Sequence, residues 1–212
     1  MQYMVSKPRW MRKLYGKCIW EMNSKEKVAY LTFDDGPHPE LTPFVLDELA
    51  KYGAKGTFFC LGAHVERYPE LYARILAEGH SVGNHTHDHL DGWRTRNQEY
   101  YANVKRASGV IASRLFRPPH GHVTPFQVRR LRAEGFGLQV VMWSIMSGDF
   151  DPQTTPGQCY ENVATHLRPG SIVVLHDNDA AGPNLRYALP RLLAEFSTLG
   201  YRFAEIPERI LY

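Results

Sequence analysis

The 212-residue sequence predicts an α/β domain built on a parallel sheet. Seven short runs rich in β-forming residues alternate with about six stretches of helical periodicity, a pattern typical of parallel sheets. Some runs are apolar throughout, as from Ile172 to Leu175, which suits strands that are covered on both faces. The length suits one large domain and is too short for two comfortable ones. A barrel and a doubly wound sheet both satisfy these observations.

The predicted elements alternate from residue 28 to residue 206. The strands are expected at 28–34, 56–61, 81–85, 115–118, 138–143, 172–176 and 201–206. The first helix is expected to begin with Thr42 as its N-cap and Pro43 at its first position, and to end at Gly53. The second is expected to run from near Pro69 to Gly79. Further helices are expected at 97–113, 124–134, 158–167 and 184–198.

Charge is distributed unevenly along a chain whose net charge is only +3. The first twenty residues hold five basic side chains and no acid, at Lys7, Arg9, Arg12, Lys13 and Lys17. The remainder is slightly acidic, so we expect no nucleic-acid partner. We expect the basic arm to fold back on the domain, with peripheral contact to an anionic membrane as the alternative.

The sequence also indicates a location and a redox environment. The apolar residues of the arm are interrupted by basic ones, so no signal peptide is predicted, and no apolar run is long enough for a transmembrane helix. We therefore expect a cytoplasmic protein, with association to the cell envelope as the alternative. Three widely spaced cysteines suggest neither a disulfide framework nor a cysteine-based zinc site, so a reducing compartment is expected.

Ionisable side chains follow several predicted strands at the point where each strand ends. They include Asp34 and Asp35, the histidines from His85 to His89, Arg117, Asp149 and His176. The carboxyl ends of parallel strands meet at one edge, which is where such folds carry their chemistry. The sequence therefore predicts that these groups form one site.

Two of these groups have metal-binding character. His85 and His89 share a face if the segment turns helically, and imidazole is a natural ligand for zinc and similar divalent ions. Of the adjacent Asp34 and Asp35, one can bind a metal while the other faces a substrate, although a turn or capping role is an equal alternative. His176 can act as a general acid or as a capping or buried structural histidine.

These residues occur in motifs that resemble those of a known family. The motifs are TFDDGP at 32–37, HTxxH at 85–89, RPPxG at 117–121 and LHD at 175–177. Together they resemble the polysaccharide deacetylases of carbohydrate esterase family 4, which share the NodB homology domain. The resemblance covers residues 26–206, and we expect a basic arm at 1–25 followed by the catalytic domain at 26–212. It implies a distorted (β/α) barrel of about seven parallel strands.

The resemblance also implies a set of residue roles. Asp34 would be the general base and His176 the general acid, while Asp35, His85 and His89 would hold a divalent metal, most simply zinc, with cobalt or nickel as alternatives. Residues expected to support this site are Arg117, Pro119, His120 and Leu175 at the substrate and oxyanion positions, and Thr86, which would brace the histidine loop. Arg117 would also help to position Asp34.

The sequence departs from the family pattern at three positions. His120 replaces a tyrosine, Met146 replaces the aspartate that commonly orients the catalytic histidine, and Phe150 replaces a tryptophan. Asp149 or Asp177 could take over from the missing aspartate. Lys55 is a further candidate to pair with Asp34.

The resemblance implies hydrolytic removal of N-acetyl groups from glycans that contain N-acetylglucosamine, such as chitin oligomers or peptidoglycan. The acetylated carbohydrate is then the expected partner. Two alternatives remain open at this point. One is an O-acetyl xylan esterase, or a deformylase or amide hydrolase for a lipid-linked or small substrate. The other is an inactive carbohydrate-binding module that retains its metal.

Overall fold

The computed structural model describes residue 5, residues 15–208 and residue 210. Its strands are β1 Val28–Asp34, β2 Gly56–Cys60, β3 Ser81–Asn84, β4 Leu115–Phe116, β5 Gln139–Val140, β6 Ile145–Met146, β7 Ile172–His176 and β8 Arg202–Phe203. Its α-helices are α1 Leu41–Ala50, α2 Gly62–Arg67, α3 Pro69–Ala77, α4 Asn97–Ser108, α5 Pro125–Arg132, α6 Pro156–Ala164 and α7 Gly182–Thr198. In the described part of the chain no helix is both long and apolar enough to cross a membrane.

The strands form one curled parallel sheet with the order β5–β4–β3–β2–β1–β7–β6. The short strand β8 pairs with the first residues of β1. The segment before β1 reaches both sides of the curl, because Ile19 bridges to Val141 and Glu21 bridges to Ser171. The predicted α/β class and distorted barrel are confirmed.

Alternate residues of each central strand enter two different apolar clusters. Leu31, Phe33, Val173 and Leu175 pack against the outer helices, chiefly α1 and α7. Side chains of the opposite parity face the inside of the curl, where Val174 lies among the apolar residues of the second cluster. This period of two places Thr32, Asp34 and His176 on the inner face. Asp34 and His176 are the last residues of their strands, so their side chains lie at the carboxyl edge of the sheet.

The part of the predicted arm that the structure describes belongs to the fold. Cys18, Ile19 and Trp20 are buried in the inner cluster, and Met22 donates a backbone hydrogen bond to Gly170. Lys7, Arg9, Arg12 and Lys13 lie outside the described residues. All three cysteines are buried and free, as expected from their spacing.

Several predicted element boundaries were wrong for local reasons. Thr42 is not an N-cap: α1 begins at Leu41, and the buried Thr42 hydroxyl bonds Asp177 instead. The predicted strand at 138–143 contains only the two-residue strand β5, and a second two-residue strand, β6, follows outside the predicted range. The six-residue helix α2 was missed because so short a helix has no clear periodicity.

Candidate active site

The sheet register brings the two candidate catalytic side chains together. Asp34, the last residue of β1, pairs directly with His176, the last residue of β7. Both side chains face the inside of the curl, with Asp34 4% exposed. A base and an acid on neighbouring strands can therefore act on the same bound group.

Four non-glycine residues with left-handed backbone cluster at this edge of the sheet. Their φ values are 84° at Asp35, 67° at Thr86, 57° at His89 and 59° at His120. They are the only such residues in the described part of the chain. Such conformations are costly for residues other than glycine and persist where the surrounding structure imposes them, typically at functional sites.

Asp35, His85 and His89 form a cluster with the character of a metal site. Their ligand atoms lie within 4.8 Å of one another. Oδ1 of Asp35 lies 3.5 Å from Nε2 of His85 and 3.2 Å from Nε2 of His89. This oxygen is buried and has no hydrogen-bond partner. Because an unpaired buried carboxylate oxygen is costly, the arrangement suits a cation between the three side chains.

Neighbouring groups fix the orientation of these three side chains. Nδ1 of His85 lies 2.7 Å from the carbonyl oxygen of Arg117, which accepts its hydrogen and leaves Nε2 with a free lone pair. Asn178 donates to Oδ2 of Asp35 at 2.7 Å. His64 contacts the Asp35 carbonyl oxygen through Nδ1 at 2.7 Å and so supports the backbone of this ligand candidate.

The electrostatics of the cluster favour the protonation states that a metal needs. Burial lowers the pKa of His85 to about 4, despite the charges of Asp34 and Asp35. Burial opposes ionisation of Asp35, but the close imidazole of His89 and the charges of His176 and His85 outweigh it and lower the Asp35 pKa. A neutral imidazole and an ionised carboxylate are the forms that bind divalent ions.

Arg117 holds the candidate base from inside the barrel. Its Nη1 donates to Thr32 Oγ1 at 2.6 Å and to Asp34 Oδ1 at 2.7 Å, and its Nη2 donates to the Met142 carbonyl at 2.9 Å. The side chain is fully buried and its guanidinium lies over the Phe59 ring. Arg117 is thus placed to orient Asp34, but it does not line an open groove.

His176 is paired with Asp149. Nδ1 of His176 lies 2.8 Å from Oδ1 of Asp149, and the His176 backbone N–H donates to Oδ2 at 2.6 Å. Burial disfavours the imidazolium, but the Asp149 charge and hydrogen bond outweigh it and raise the His176 pKa to about 10. Asp149 therefore supplies the partner that Met146 does not. Met146 itself is buried in the inner apolar cluster.

The remaining predicted residues occupy different surroundings. His120 is exposed, and its ring packs edge-on against His89 with centroids 4.7 Å apart. Thr86 braces the histidine loop, because its hydroxyl accepts the Leu90 N–H at 3.2 Å. Pro119 and Leu175 are buried, and Leu175 lies in the outer core, so its side chain forms no groove wall.

The proposed pairing of Lys55 with Asp34 was wrong. Lys55 precedes β2 at the opposite end of the sheet, and its Nζ donates to the Glu78 carbonyl oxygen. Asp177 does not contact His176 as a replacement partner either. Its Oδ1 accepts the Gly36 N–H at 3.0 Å and its Oδ2 accepts the Thr42 hydroxyl, which ties the loop after β1 to α1.

Sequence analysis missed the amides that shape the loops. Asn84 accepts the Thr86 N–H at 2.8 Å, and Asn103 accepts the N–H groups of His87 and Asp88. Asn178 was missed although it directly follows the LHD motif. That position, and the position of Asn84 directly before the HTxxH motif, were the available signals, since Asn103 lies in mid-helix without any motif.

Comparisons with known proteins agree with this architecture. A family model described as polysaccharide deacetylase matches residues 21–140. A peptidoglycan-N-acetylglucosamine deacetylase from Bacillus cereus is 34% identical over 206 residues, covering 93% of this chain and 94% of the relative. A chitooligosaccharide deacetylase from Bradyrhizobium sp. is 40% identical over 168 residues, covering 75% and 74%. The chain therefore belongs to the polysaccharide deacetylase family.

A solved structure extends the likeness to the whole fold. The crystal structure of the Bc1960 peptidoglycan N-acetylglucosamine deacetylase, in complex with 4-naphthalen-1-yl-N-oxidanyl-benzamide, has a TM-score of 0.84 and 28% identity. The match covers 95% of each chain. The fold and the family together define the chain as a deacetylase of carbohydrate esterase family 4.

Proposed function

We propose that this protein is a metal-dependent hydrolase that removes acetyl groups from the amide nitrogen of N-acetylglucosamine residues in glycans. The observation that carries the proposal is the placement of Asp34 and His176 on paired strand ends beside the Asp35, His85 and His89 cluster. The names of its relatives, which include deacetylases of peptidoglycan and of chitooligosaccharides, support this class of substrate.

The three cluster residues fit a divalent ion, and we propose zinc. Two neutral imidazoles and one carboxylate are a common donor set for catalytic zinc, with positions left for water and substrate. The observation on this chain that favours a cation is the buried Asp35 oxygen, which has no hydrogen-bond partner. Such an ion would supply polarisation of the acetyl carbonyl and a water acidic enough to react near neutral pH.

The protein side chains divide the proton transfers between them. Asp34, held through one oxygen by Arg117, accepts the proton of the attacking water. His176 already donates Nδ1–H to Asp149, so its Nε2 is the atom that can protonate the departing amine nitrogen. The backbone N–H of His120, beside His89, is the proposed donor to the developing oxyanion.

Acetate release from N-acetylglucosamine oligomers and from peptidoglycan, with zinc added, tests this function. Asp34→Asn should lower kcat by at least about 100-fold, because it removes the base and retains the size of the side chain. Glu161→Gln on the exposed face of α6 is the matched control and should match the wild type. Release of formate instead of acetate, or release from acetylated xylan alone, would contradict the proposed substrate.

A further inference from the structure

Trp93 offers a flat, exposed aromatic surface near the candidate site. At 56% exposure it is the most exposed large hydrophobic side chain among the residues described. Its ring is stacked on the His122 imidazole, with centroids 3.9 Å apart and planes 7° from parallel. His122 therefore covers one face of the indole. The opposite face is exposed, and a ligand can pack against it.

The loop that carries Trp93 is held in place on both sides of the ring. Asp91 accepts the Trp93 N–H through Oδ1 at 2.8 Å, and its Oδ2 lies 2.9 Å from Nδ1 of His122. Gln127 donates to the Gly92 carbonyl at 2.8 Å. A side chain at Gly92 would meet the His122 carbonyl oxygen at 2.3 Å, so the loop and the His122 backbone are in close contact. Because the two rings are preorganised, a ligand would lose little free energy in ordering them.

This surface is continuous with the metal-binding cluster. The His122 ring lies 5.5 Å from the His120 ring, and the His120 ring lies 4.7 Å from that of the metal-ligand candidate His89. Four aromatic rings thus form a row that begins at the reaction centre and ends at Trp93. A glycan that places one unit at the metal can therefore reach Trp93 with another of its units.

We propose that Trp93, backed by His122, is a sugar-binding subsite that takes a further pyranose ring of the glycan that is deacetylated. A pyranose presents a face of C–H groups that packs flat on an aromatic ring, and its hydroxyl groups at the rim remain in water. The exposed guanidinium of Arg94 follows directly in the chain and can reach such hydroxyl groups. The inference rests on the proposed function and adds to it the binding of more than one sugar.

The kinetics of N-acetylglucosamine oligomers of increasing length test the subsite. Trp93→Ala should raise KM for the longer oligomers roughly 3- to 10-fold while kcat stays within about twofold. The penalty should grow with oligomer length, and Trp93→Phe should recover part of it because it keeps a flat ring. Phe126→Ala, which removes another exposed aromatic side chain on α5, is the matched control and should behave as the wild type.

A direct binding measurement keeps the subsite separate from catalysis. The longer oligomers should change the tryptophan fluorescence of the Asp34→Asn variant, and the change should be lost when Trp93→Phe is added. An unchanged KM for Trp93→Ala in an active enzyme would overturn the subsite and leave the deacetylase intact. Absence of acetate release by the wild type, with the fluorescence response preserved, would overturn the proposed function and leave the subsite.

Discussion

The pairing of His176 with Asp149 shows how one residue acquires a function that sequence alone left open. Asp149 and Asp177 were both candidates, because each lies near His176 in the predicted site. The structure selects Asp149, since β6 pairs with β7 and the loop after β6 ends beside His176. A strand of two residues has no recognisable pattern, so the sequence could not provide this pairing.

The same contact predicts the pH dependence of activity. Asp149→Asn removes the charge that raises the His176 pKa to about 10, so His176 should lose its proton at lower pH. The basic limb of the kcat profile should move to lower pH, with a loss of at least about 10-fold at pH 9 that narrows toward pH 6. Profiles that fall by the same factor at every pH would show a structural role alone. Asp151→Asn, on the exposed loop that follows, is the matched control.

The pair also contributes to stability with a definite sign. Because the folded-state pKa of His176 lies above its usual 6.5, its protonated form stabilises the fold fully below about pH 6.5. That contribution is lost as the pH rises through about 10. The ion pair with Asp149 thus both orients His176 and keeps protonated the group that is the proposed general acid.

At the scale of elements, the strand-end rule predicted most of the candidate site. Parallel strands end at one edge, so the sequence could group Asp34, His85, Arg117 and His176 without knowing the strand order. The rule could not distinguish buried residues that support the site from exposed residues that could contact the substrate. Arg117 follows β4 and Leu175 is the penultimate residue of β7, yet both are fully buried, Arg117 inside the curl of the sheet and Leu175 in the outer apolar cluster.

The contact between the loop after β1 and helix α1 carries a second prediction. Asp177 accepts bonds from the Gly36 N–H and the Thr42 hydroxyl, and burial raises its pKa to about 7. Asp177→Ala leaves two buried donors unpaired, so it should lower the free energy of unfolding by about 2 kcal/mol and Tm by roughly 4–8 °C. It should also lower kcat, because Gly36 adjoins the metal-ligand candidate Asp35.

Asp177→Asn tests whether the hydrogen bonds of Asp177, which alanine removes, are the cause of the lost stability. Asparagine resembles the protonated carboxyl in shape, and its oxygen can still accept the Gly36 N–H. We expect it to retain most of the stability that alanine loses. Thermal unfolding followed by circular dichroism measures the difference, and equal Tm values for the wild type and Asp177→Ala would contradict the role given to this contact.

At the scale of the whole molecule, the site joins the two halves of the sheet. Asp35 and His176 follow or end the central strands, whereas His85 and His89 follow β3, and the Arg117 carbonyl that orients His85 follows β4. The sequence predicted the fold and singled out these candidate ligands because each lies in a short motif. It did not identify Asn103, which lies in mid-helix outside any motif, or Asn178, whose partner Asp35 lies 143 residues away in the chain.

A metal held across these strands should stabilise the entire fold. A ligand that binds only the folded state at 100 times its Kd adds about 2.7 kcal/mol, which raises Tm by roughly 5–10 °C in a domain of this size. We expect zinc to produce such an increase over protein treated with a chelator. His89→Ala should reduce it strongly, because only His85 and Asp35 remain. His166→Ala, just beyond the C-terminal end of α6, should keep the full shift. An equal zinc response in both variants would place the ion elsewhere and would contradict the proposed ligand set.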